Sequence, residues 1–187
     1  MTSQPKNGLG LSLVTGAGGY VGGWLVDALL QRGRPVRAMV RSRDRIGNLS
    51  GKSVELVEAN LHDGDSLRRA VKGIQYVYHI ASIFRQAGLP ESVFHDANAT
   101  GTARLLDACI DAGVKRVVHC STVGVLGHVQ HPPADENTPF NPGDMYQRSK
   151  AEGEKIALEY FRGGKIGGVV IRPAMIYGPG DTRTLKM

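Results

Sequence analysis

Apolar residues recur along this chain in two alternating patterns. Six short runs rich in branched residues predict strands, at positions 9–14, 36–40, 54–59, 76–81, 116–121 and 169–172. Several of these runs are apolar at nearly every position, which is typical of strands covered on both faces. The segments between them repeat apolar residues at helical spacing. The alternation predicts an α/β fold, a doubly wound parallel sheet with helices on both faces.

Four helices are predicted between the strands. Asp63 is a suitable N-cap for the second helix, and Pro90 begins the third. Glycine at positions 33, 73 and 113 marks three helix ends. The fourth helix covers residues 146–162 and follows residues 124–144, a proline-rich stretch that predicts a surface loop. The residues assigned to the apolar helix faces are Val21, Leu25, Ala28, Leu29, Leu67, Ala70, Val71, Ala103, Leu106, Ile110, Ala151, Ile156, Ala157 and Tyr160.

The composition is that of an ordinary globular protein. Of the 187 residues, 41% are hydrophobic and 21% are charged, which excludes a disordered or fibrous chain. We expect residues 1–187 to form one domain. No apolar run reaches the ~20 residues that cross a bilayer, and the first eight residues lack the apolar stretch of a signal peptide. These features predict a cytoplasmic location and no membrane partner. Cys109 and Cys120 have neither CxxC spacing nor neighbouring histidines, which predicts buried thiols and no metal site.

The net charge of +6 allows two kinds of partner, a nucleic acid or an anionic small molecule. Basic residues are scattered along the chain, and the one local cluster, RSRDR at residues 41–45, has no interleaved aromatic residues. A surface that binds nucleic-acid strands combines clustered positive charge with aromatic side chains. The distribution therefore favours a small anionic ligand and disfavours a nucleic acid.

Five glycines lie within TGAGGYVGG, residues 15–23, between the first predicted strand and the first helix. Gly16, Gly19 and Gly22 recur at intervals of three. A sharp turn from strand to helix needs positive φ, and a pyrophosphate approaches the backbone closely only where no Cβ intervenes. The N–H groups and the dipole of the following helix also attract an anion. The junction therefore predicts a phosphate site, with a glycine-rich turn that binds nothing as the alternative.

The segment TGAGGYVG resembles the cofactor loop of the extended short-chain dehydrogenase/reductase family. This family includes nucleotide-sugar epimerases and dehydratases, dihydroflavonol-type reductases and 3β-hydroxysteroid dehydrogenases. Three later segments resemble family elements in the same order: ANLHD near the adenine, HIAS beside the dinucleotide and IRPAMIYGPGD beside the nicotinamide. The resemblance implies a Rossmann-type domain that binds NAD(P). The cofactor contacts that it implies in these segments are Gly16, Gly19, Tyr20, Val21, Gly22, Asn60, Leu61, Ala81 and Pro173.

Three residues in or near these segments differ in their expected roles. Asn60 stands where the family commonly has an aspartate, and its amide can still pair with the adenine edge. His79 is on a predicted core strand, so we expect a hydrogen-bonded structural imidazole. Asn98, in NATGT, matches a helix motif of the family and is also expected to be structural.

The residue after the second strand distinguishes the two dinucleotides. An acidic residue there accepts hydrogen bonds from a ribose diol, whereas a basic residue pairs with the 2′-phosphate of NADP. Arg41 occupies that position, and its guanidinium can make a two-pronged contact with phosphate. NADP is therefore favoured, and NAD stays possible. Two alternatives remain open: Arg41 can point into solvent, and Asp44 can reach a ribose.

Tyr146 and Lys150 are four residues apart in YQRSK, on one face of the fourth predicted helix. Reduction of a carbonyl by hydride needs a proton donor and the reverse reaction needs a base, and a phenol can serve as either. Lowering the pKa of a phenol from ~10 to neutrality takes about 4 kcal/mol. An ammonium at ~5 Å supplies roughly 3 kcal/mol at an effective dielectric constant of ~20. The pair therefore predicts a proton-transfer site, and the resemblance implies that both residues also contact the cofactor.

A third polar group is expected to bind the reacting oxygen. HCSTVGVLG, residues 119–127, ends the fifth strand and resembles the family's S-S-x-x-x-x-G element, whose second hydroxyl is catalytic. That position is Thr122, with Ser121 as the alternative. The predicted catalytic residues are therefore Thr122, Tyr146 and Lys150.

The resemblance implies an NAD(P)-dependent oxidoreductase or epimerase that transfers hydride between nicotinamide and a small-molecule carbinol or carbonyl. It leaves two substrate classes open, a nucleotide sugar for an epimerase/dehydratase or a ketone of dihydroflavonol or steroid type. The family's substrate-binding lobe is largely absent, so we expect the N-terminal part of a longer enzyme. The alternative is a cofactor-binding sensor or regulatory module, which would not need the Tyr146/Lys150 pair. The resemblance also implies a homodimer formed through residues 99–112 and 146–162.

Overall fold

The computed structural model describes residues 9–181, so both ends of the predicted domain, including the stretch considered for a signal peptide, lie outside the described residues. Six parallel strands form one sheet in the order β3-β2-β1-β4-β5-β6. The strand bounds are β1 (Ser12–Thr15), β2 (Val36–Val40), β3 (Glu55–Glu58), β4 (Tyr76–His79), β5 (Arg116–Cys120) and β6 (Gly168–Ile171). The strand order changes direction between β1 and β4, where such sheets bind ligands beyond the strand carboxyl ends. The predicted Rossmann-type sheet is confirmed.

The helices begin and end close to the predicted positions. Their bounds are α1 (Tyr20–Gln31), α2 (Gly64–Val71), α3 (Glu91–His95), α4 (Gly101–Asp111) and α5 (Met145–Arg162). A π-helical turn, Asp96–Thr100, joins α3 and α4 into the single long helix that was predicted to begin at Pro90. Asp63 caps α2 by accepting hydrogen bonds from the backbone N–H groups of Asp65 and Ser66.

The predicted apolar faces are correct for α2 but partly wrong for the other long helices. Leu67, Ala70 and Val71 of α2 are all buried. In contrast, five residues assigned to the apolar faces of α1 and α4 are only partly buried or exposed: Val21, Leu25, Ala28, Ala103 and Ile110. Ile156 and Tyr160 are also only partly buried. The buried faces instead contain small and polar residues, such as Gly22, Gly153 and Glu154, which a hydrophobic pattern does not select.

The sheet has an apolar core on each face. Leu13 of β1 packs toward Leu67 and Leu105 on one face, whereas Val14 packs toward Val26 of α1 on the other. Each such side chain contributes about 1.5–3 kcal/mol when it is fully buried. Both cysteines were predicted to be buried, but only Cys109 is, whereas Cys120 is partly exposed. Within residues 9–181, no helix combines the length and apolar character needed to cross a membrane.

Candidate active site

The turn from β1 into α1, residues 16–22, has the geometry of a phosphate site, and we call it the cradle. Gly16 has a φ of +67°, and a Cβ there would lie 2.9 Å from the Cα of Ala81. A Cβ on Gly22 would lie 2.2 Å from the carbonyl oxygen of Gly16. Neither position therefore has room for a side chain, and α1 approaches the turn along bare backbone.

The cradle also has backbone N–H groups that can donate hydrogen bonds to the diphosphate of a dinucleotide. Gly19 is the N-cap of α1, and no side chain of residues 9–181 caps this helix. The first turn of α1 begins at Tyr20 and includes Val21. Its backbone N–H groups are thus oriented toward the position where a diphosphate would bind. A cleft of about 470 Å³ opens at the same place, within the range of small-molecule sites. Its lining residues are Gly18, Gly19, Tyr20, Trp24, Asp27, Asn48, Pro179, Gly180 and Asp181.

A chain of buried hydrogen bonds connects the cradle to the helices on one face of the sheet. The hydroxyl oxygen of Thr15 accepts hydrogen bonds from the backbone N–H groups of Ile80 and Ala81, both at 3.0 Å. Its own hydrogen is therefore directed to Nδ1 of His79, at 2.9 Å. Nε2 of His79 then carries the proton and donates to the hydroxyl of Thr102 at 3.1 Å. His79 is therefore a neutral, hydrogen-bonded core residue.

The network continues from Thr102 toward the predicted catalytic helix. The Thr102 hydroxyl donates to the carbonyl oxygen of Asn98 at 2.7 Å. The Asn98 amide donates to the hydroxyl of Ser149 at 2.9 Å, and Ser149 donates to the backbone carbonyl of Tyr146 at 2.8 Å. Asn98 is 2% exposed, and it acts here as a connection between α4 and α5.

We expect the buried histidines to make the fold sensitive to acid. Burial lowers the pKa of His79 from its ordinary value of 6.5 to about 3, and the nearby Lys150 charge adds to this. Below pH 6.5 the unfolded chain binds a proton at this residue that the folded chain does not. The free energy of unfolding therefore decreases as the pH is lowered. The loss from this residue reaches about 2 kcal/mol at pH 5. Urea titrations between pH 7.5 and 5 measure it.

The variant His79→Gln tests which residue causes this acid sensitivity. It should be less stable at pH 7.5, because the polar chain is altered, but its stability should change less steeply with pH. His128→Gln, at an exposed position, is the matched control and should keep the wild-type slope. An unchanged slope in His79→Gln would mean that another group titrates.

The residues predicted to contact adenine and its ribose follow β2 and β3. Arg41 comes directly after β2 and is exposed. Asn60 is also exposed, and its side-chain oxygen accepts a hydrogen bond from the backbone N–H of His62. Leu61 is 7% exposed. A Cβ added to Gly101 would approach its Cβ to 2.8 Å, so most of the Leu61 side chain lies within the core.

Lys150 is the most strongly perturbed polar residue of the predicted catalytic set. Its side chain is 3% exposed, and its ammonium donates a hydrogen bond to the carbonyl oxygen of Cys120 at 2.7 Å. Burial lowers the pKa of Lys150 to about 8, and negative charge on Cys120 and Glu154 opposes the decrease. Near neutral pH the residue is therefore mainly an ammonium, held at the carboxyl end of β5.

Tyr146 lies at the first turn of α5, where Asp144 caps the helix by accepting a hydrogen bond from the N–H of Gln147. Its ring is partly buried and meets the ring of Phe84 edge to face, with centroids 5.0 Å apart. The guanidinium of Arg85 lies 5.9 Å from the centroid of the same ring and forms an ion pair with Asp144. Two residues of the loop after β4, Phe84 and Arg85, therefore contact the phenol ring.

Thr122 and Pro173 come together beyond the ends of β5 and β6. The backbone N–H of Val123 donates to the carbonyl oxygen of Pro173 at 3.1 Å. The Thr122 hydroxyl oxygen accepts a hydrogen bond from the N–H of Gly124, which leaves its hydrogen available to a ligand. Ser121, the alternative to Thr122, is 4% exposed, and its hydroxyl donates to the carboxylate of Glu154. The geometry therefore favours Thr122.

Sequence reasoning missed four residues that surround this site: Phe84, His119, Glu154 and Arg172. Glu154 is buried although it is charged, and it was detectable because it follows Lys150 by four residues on the helix face that includes Ala151 and Ala157. His119 is paired in register with His79, and the two rings are 5.3 Å apart. Neither ring nitrogen of His119 has a hydrogen-bond partner among the described residues. No sequence signal indicated that contact.

Comparison with known proteins identifies the family. The model of the NAD dependent epimerase/dehydratase family matches residues 12–187. Sterol demethylase protein B from Methylococcus capsulatus is 38% identical over 176 residues, which are 92% of this chain and 53% of that protein. A 4-hydroxy-2-methyl-3-oxo-4-farnesyl-3,4-dihydroquinoline-1-oxide ketoreductase from Stigmatella aurantiaca is 33% identical over 177 residues, 93% of this chain and 52% of that protein.

Similarity to a solved structure supports the same family. The structure of dTDP-glucose 4,6-dehydratase from Streptomyces venezuelae, with NAD bound, has a TM-score of 0.81 at 29% identity, over 90% of this chain and 57% of that one. The chain thus spans about half the length of the curated relatives named above. Together with the cradle and the strand-end residues, the matches show that this chain belongs to the NAD-dependent epimerase/dehydratase family of extended short-chain dehydrogenases/reductases.

Proposed function

We propose that this chain is the cofactor-binding, N-terminal part of an NAD(P)-dependent oxidoreductase that interconverts a secondary alcohol and a ketone on a small molecule. The observation that carries this proposal is the position of Lys150. Its buried ammonium is held at the end of β5 by the carbonyl oxygen of Cys120, which is two residues before Thr122. Lys150 also lies on the same helix face as Tyr146. A domain that only binds a dinucleotide has no need to bury a charge there, at a cost in desolvation.

The proposed chemistry divides between the cofactor and this chain. When bound, the nicotinamide supplies or accepts a hydride. Tyr146 donates a proton to the developing alkoxide, or removes the proton from an alcohol in the reverse direction. The Lys150 ammonium favours the phenolate form of Tyr146. Thr122, with its hydroxyl hydrogen free to donate, orients the substrate oxygen between itself and the phenol.

The cofactor diphosphate is proposed to bind at the cradle, with Gly16, Gly19, Tyr20, Val21 and Gly22 as its contacts. Ala81 adjoins Gly16, and Pro173 adjoins Val123 beside Thr122. The expected dinucleotide path therefore runs from the diphosphate beside Ala81 to the nicotinamide beside Pro173. Asn60 and Leu61 are proposed to contact the adenine. Because these residues follow the carboxyl ends of different strands in one sheet, we expect them to line one crevice.

We propose that NADP is preferred over NAD through Arg41. Arg41→Ala should raise the dissociation constant for NADPH about tenfold, because it removes a charge-assisted contact from an exposed site that salt partly screens. NADH binding should not change. Both constants follow from titrations monitored by nicotinamide fluorescence. Arg69→Ala, which removes an exposed arginine from α2, is the matched control. Tighter binding of NADH than of NADPH by the wild-type chain would refute the assignment.

The substrate class rests on the relatives. The two curated relatives are named as a sterol demethylase protein and a ketoreductase, which favours a ketone or steroid-type alcohol. A nucleotide sugar is the second candidate, because the solved structure similar to this chain is a dTDP-glucose dehydratase. A screen of ketones, sterols and nucleotide sugars for oxidation of NADPH, or reduction of NADP, tests both classes. The homodimer and the cytoplasmic location stay predictions.

A further inference from the structure

Glu154 is a charged residue in the centre of the packing between α5 and the sheet. Its side chain is 1% exposed. One carboxylate oxygen, Oε2, accepts a hydrogen bond from the hydroxyl of Ser121. The other, Oε1, accepts from Nε of Arg172 at 2.8 Å and lies 2.7 Å from a terminal guanidinium nitrogen of the same residue. Both oxygens of the carboxylate are thus bound, one by each of two different strand ends.

The two partners of Glu154 are the immediate neighbours of proposed site residues. Ser121 directly precedes Thr122, and Arg172 directly precedes Pro173. The two strand ends are also joined by backbone, since the N–H of Ser121 donates to the carbonyl oxygen of Ile171 at 2.8 Å. Glu154 lies one helical turn after Lys150 on α5. One carboxylate therefore connects the helix that carries the acid/base pair to both strand ends.

Stability alone does not account for this arrangement. A buried ion pair usually gains little net stability over a well-packed apolar pair of similar volume, because desolvation of the two charges offsets their attraction. The Glu154 carboxylate does fix geometry. Its hydrogen bond from Ser121 holds the end of β5 relative to α5, and its hydrogen bond from Arg172 holds the end of β6. We propose that Glu154 is a positioning residue for the proposed reaction, which holds Thr122 and Pro173 in fixed relation to Tyr146 and Lys150 through Ser121 and Arg172.

The same carboxylate also influences the charge of Lys150. Burial lowers the pKa of Lys150, and negative charge on Cys120 and on Glu154 opposes this. Burial raises the pKa of the Cys120 thiol, so near neutral pH the thiol is uncharged and Glu154 supplies the opposing charge. His79 and His119 also face this region, and burial lowers the pKa of both, so both are neutral there. Removal of the Glu154 charge should therefore lower the pKa of Lys150 further.

The test rests on the proposed function and compares Glu154→Gln with Glu152→Gln in the holoenzyme. Glu154→Gln keeps the shape of the side chain but removes its charge, and kcat should fall about 100-fold, as for reacting groups displaced by ~1 Å. The KM for NADPH should change much less than kcat, because the cradle that is proposed to bind the diphosphate is on other elements. Because the pKa of Lys150 should be lower in this variant, the decline of kcat at alkaline pH should begin at a lower pH than in wild type. Glu152, two residues away, is exposed and paired with Lys155, so Glu152→Gln should behave as wild type.

A second measurement makes the positioning testable without turnover. In Glu154→Gln, the backbone amides of residues 121–124, 171, 172 and 174 should exchange hydrogen faster than in wild type, whereas those of residues 12–31 should not. If Glu154→Gln does not fold, Glu154→Leu combined with Arg172→Met removes both charges together, and it should fold with the same loss of kcat.

Each outcome bears on one proposal. Wild-type kcat and pH profile in a folded Glu154 variant would overturn the positioning role while leaving the proposed function intact. If the wild-type protein has no turnover with any substrate class, the proposed function fails. Hydrogen exchange then still decides whether Glu154 holds the strand ends, and unchanged exchange would overturn that as well.

Discussion

Tyr146→Phe is expected to reduce kcat about 10³-fold, because it removes the only hydroxyl on α5 that we assign to proton transfer. The ring itself is retained, so its contact with Phe84 and the guanidinium of Arg85 should persist. The free energy of unfolding and the dissociation constant for NADPH should therefore stay close to wild type. Turnover is measured spectrophotometrically at 340 nm.

Tyr160→Phe is the matched control for this prediction. Tyr160 is on the same helix, but its hydroxyl donates to Asp107 at 2.6 Å, and this contact raises its pKa to about 12. It lies four turns after Tyr146, so kcat should not change. Normal turnover in Tyr146→Phe would show that another group transfers the proton. Normal cofactor binding without turnover, for wild type and variant alike, would support the regulatory module instead.

The features that the sequence predicted well are those that local sterics determine. Gly16 needs positive φ and Gly22 needs the absence of a Cβ, and both requirements are visible in the spacing of glycines between a strand and a helix. Asp63 was predictable as an N-cap for the same reason, because its side chain bonds to backbone two and three residues later. Strands β1 and β2 were recognisable because parallel strands that are buried on both faces are apolar at nearly every position.

The features that the sequence did not predict depend on contacts between distant residues. Glu154 is paired with Arg172, on another element, and its position in a buried helix face contradicts the hydrophobic pattern. Gly153 next to it allows α5 to approach the backbone of Asn98, where a Cβ would lie 2.2 Å from the carbonyl oxygen. A pattern that selects large apolar residues misses such a face, because the closely packed positions here are a glycine, Gly153, and a charged residue with hydrogen-bond partners, Glu154.

The cradle predicts the second large effect, that of Gly22→Ala on cofactor binding. Two contributions oppose each other. In the interior of a helix, alanine is favoured over glycine by about 1 kcal/mol. The new Cβ, however, would lie 2.2 Å from the carbonyl oxygen of Gly16 and 2.9 Å from the Cα of Ala17. Both atoms are backbone, so α1 must move away from the turn, at a cost of typically 1–3 kcal/mol. The steric contribution therefore prevails.

A displaced α1 no longer presents its first N–H groups at the position of the diphosphate, and affinity for NADPH should fall at least about 100-fold. The fluorescence titration measures this loss, and urea unfolding measures the change in stability. Gly64→Ala makes the same chemical change at the first residue of α2, where the nearest atom to the new Cβ is Nη1 of Arg68 at 3.6 Å. It should leave both quantities unchanged or raise stability slightly. Because the two variants differ only in what the methyl group meets, wild-type NADPH binding by Gly22→Ala would mean that the dinucleotide does not bind at the cradle, and the assignments of Tyr146 and Lys150 beside its nicotinamide would lose their basis.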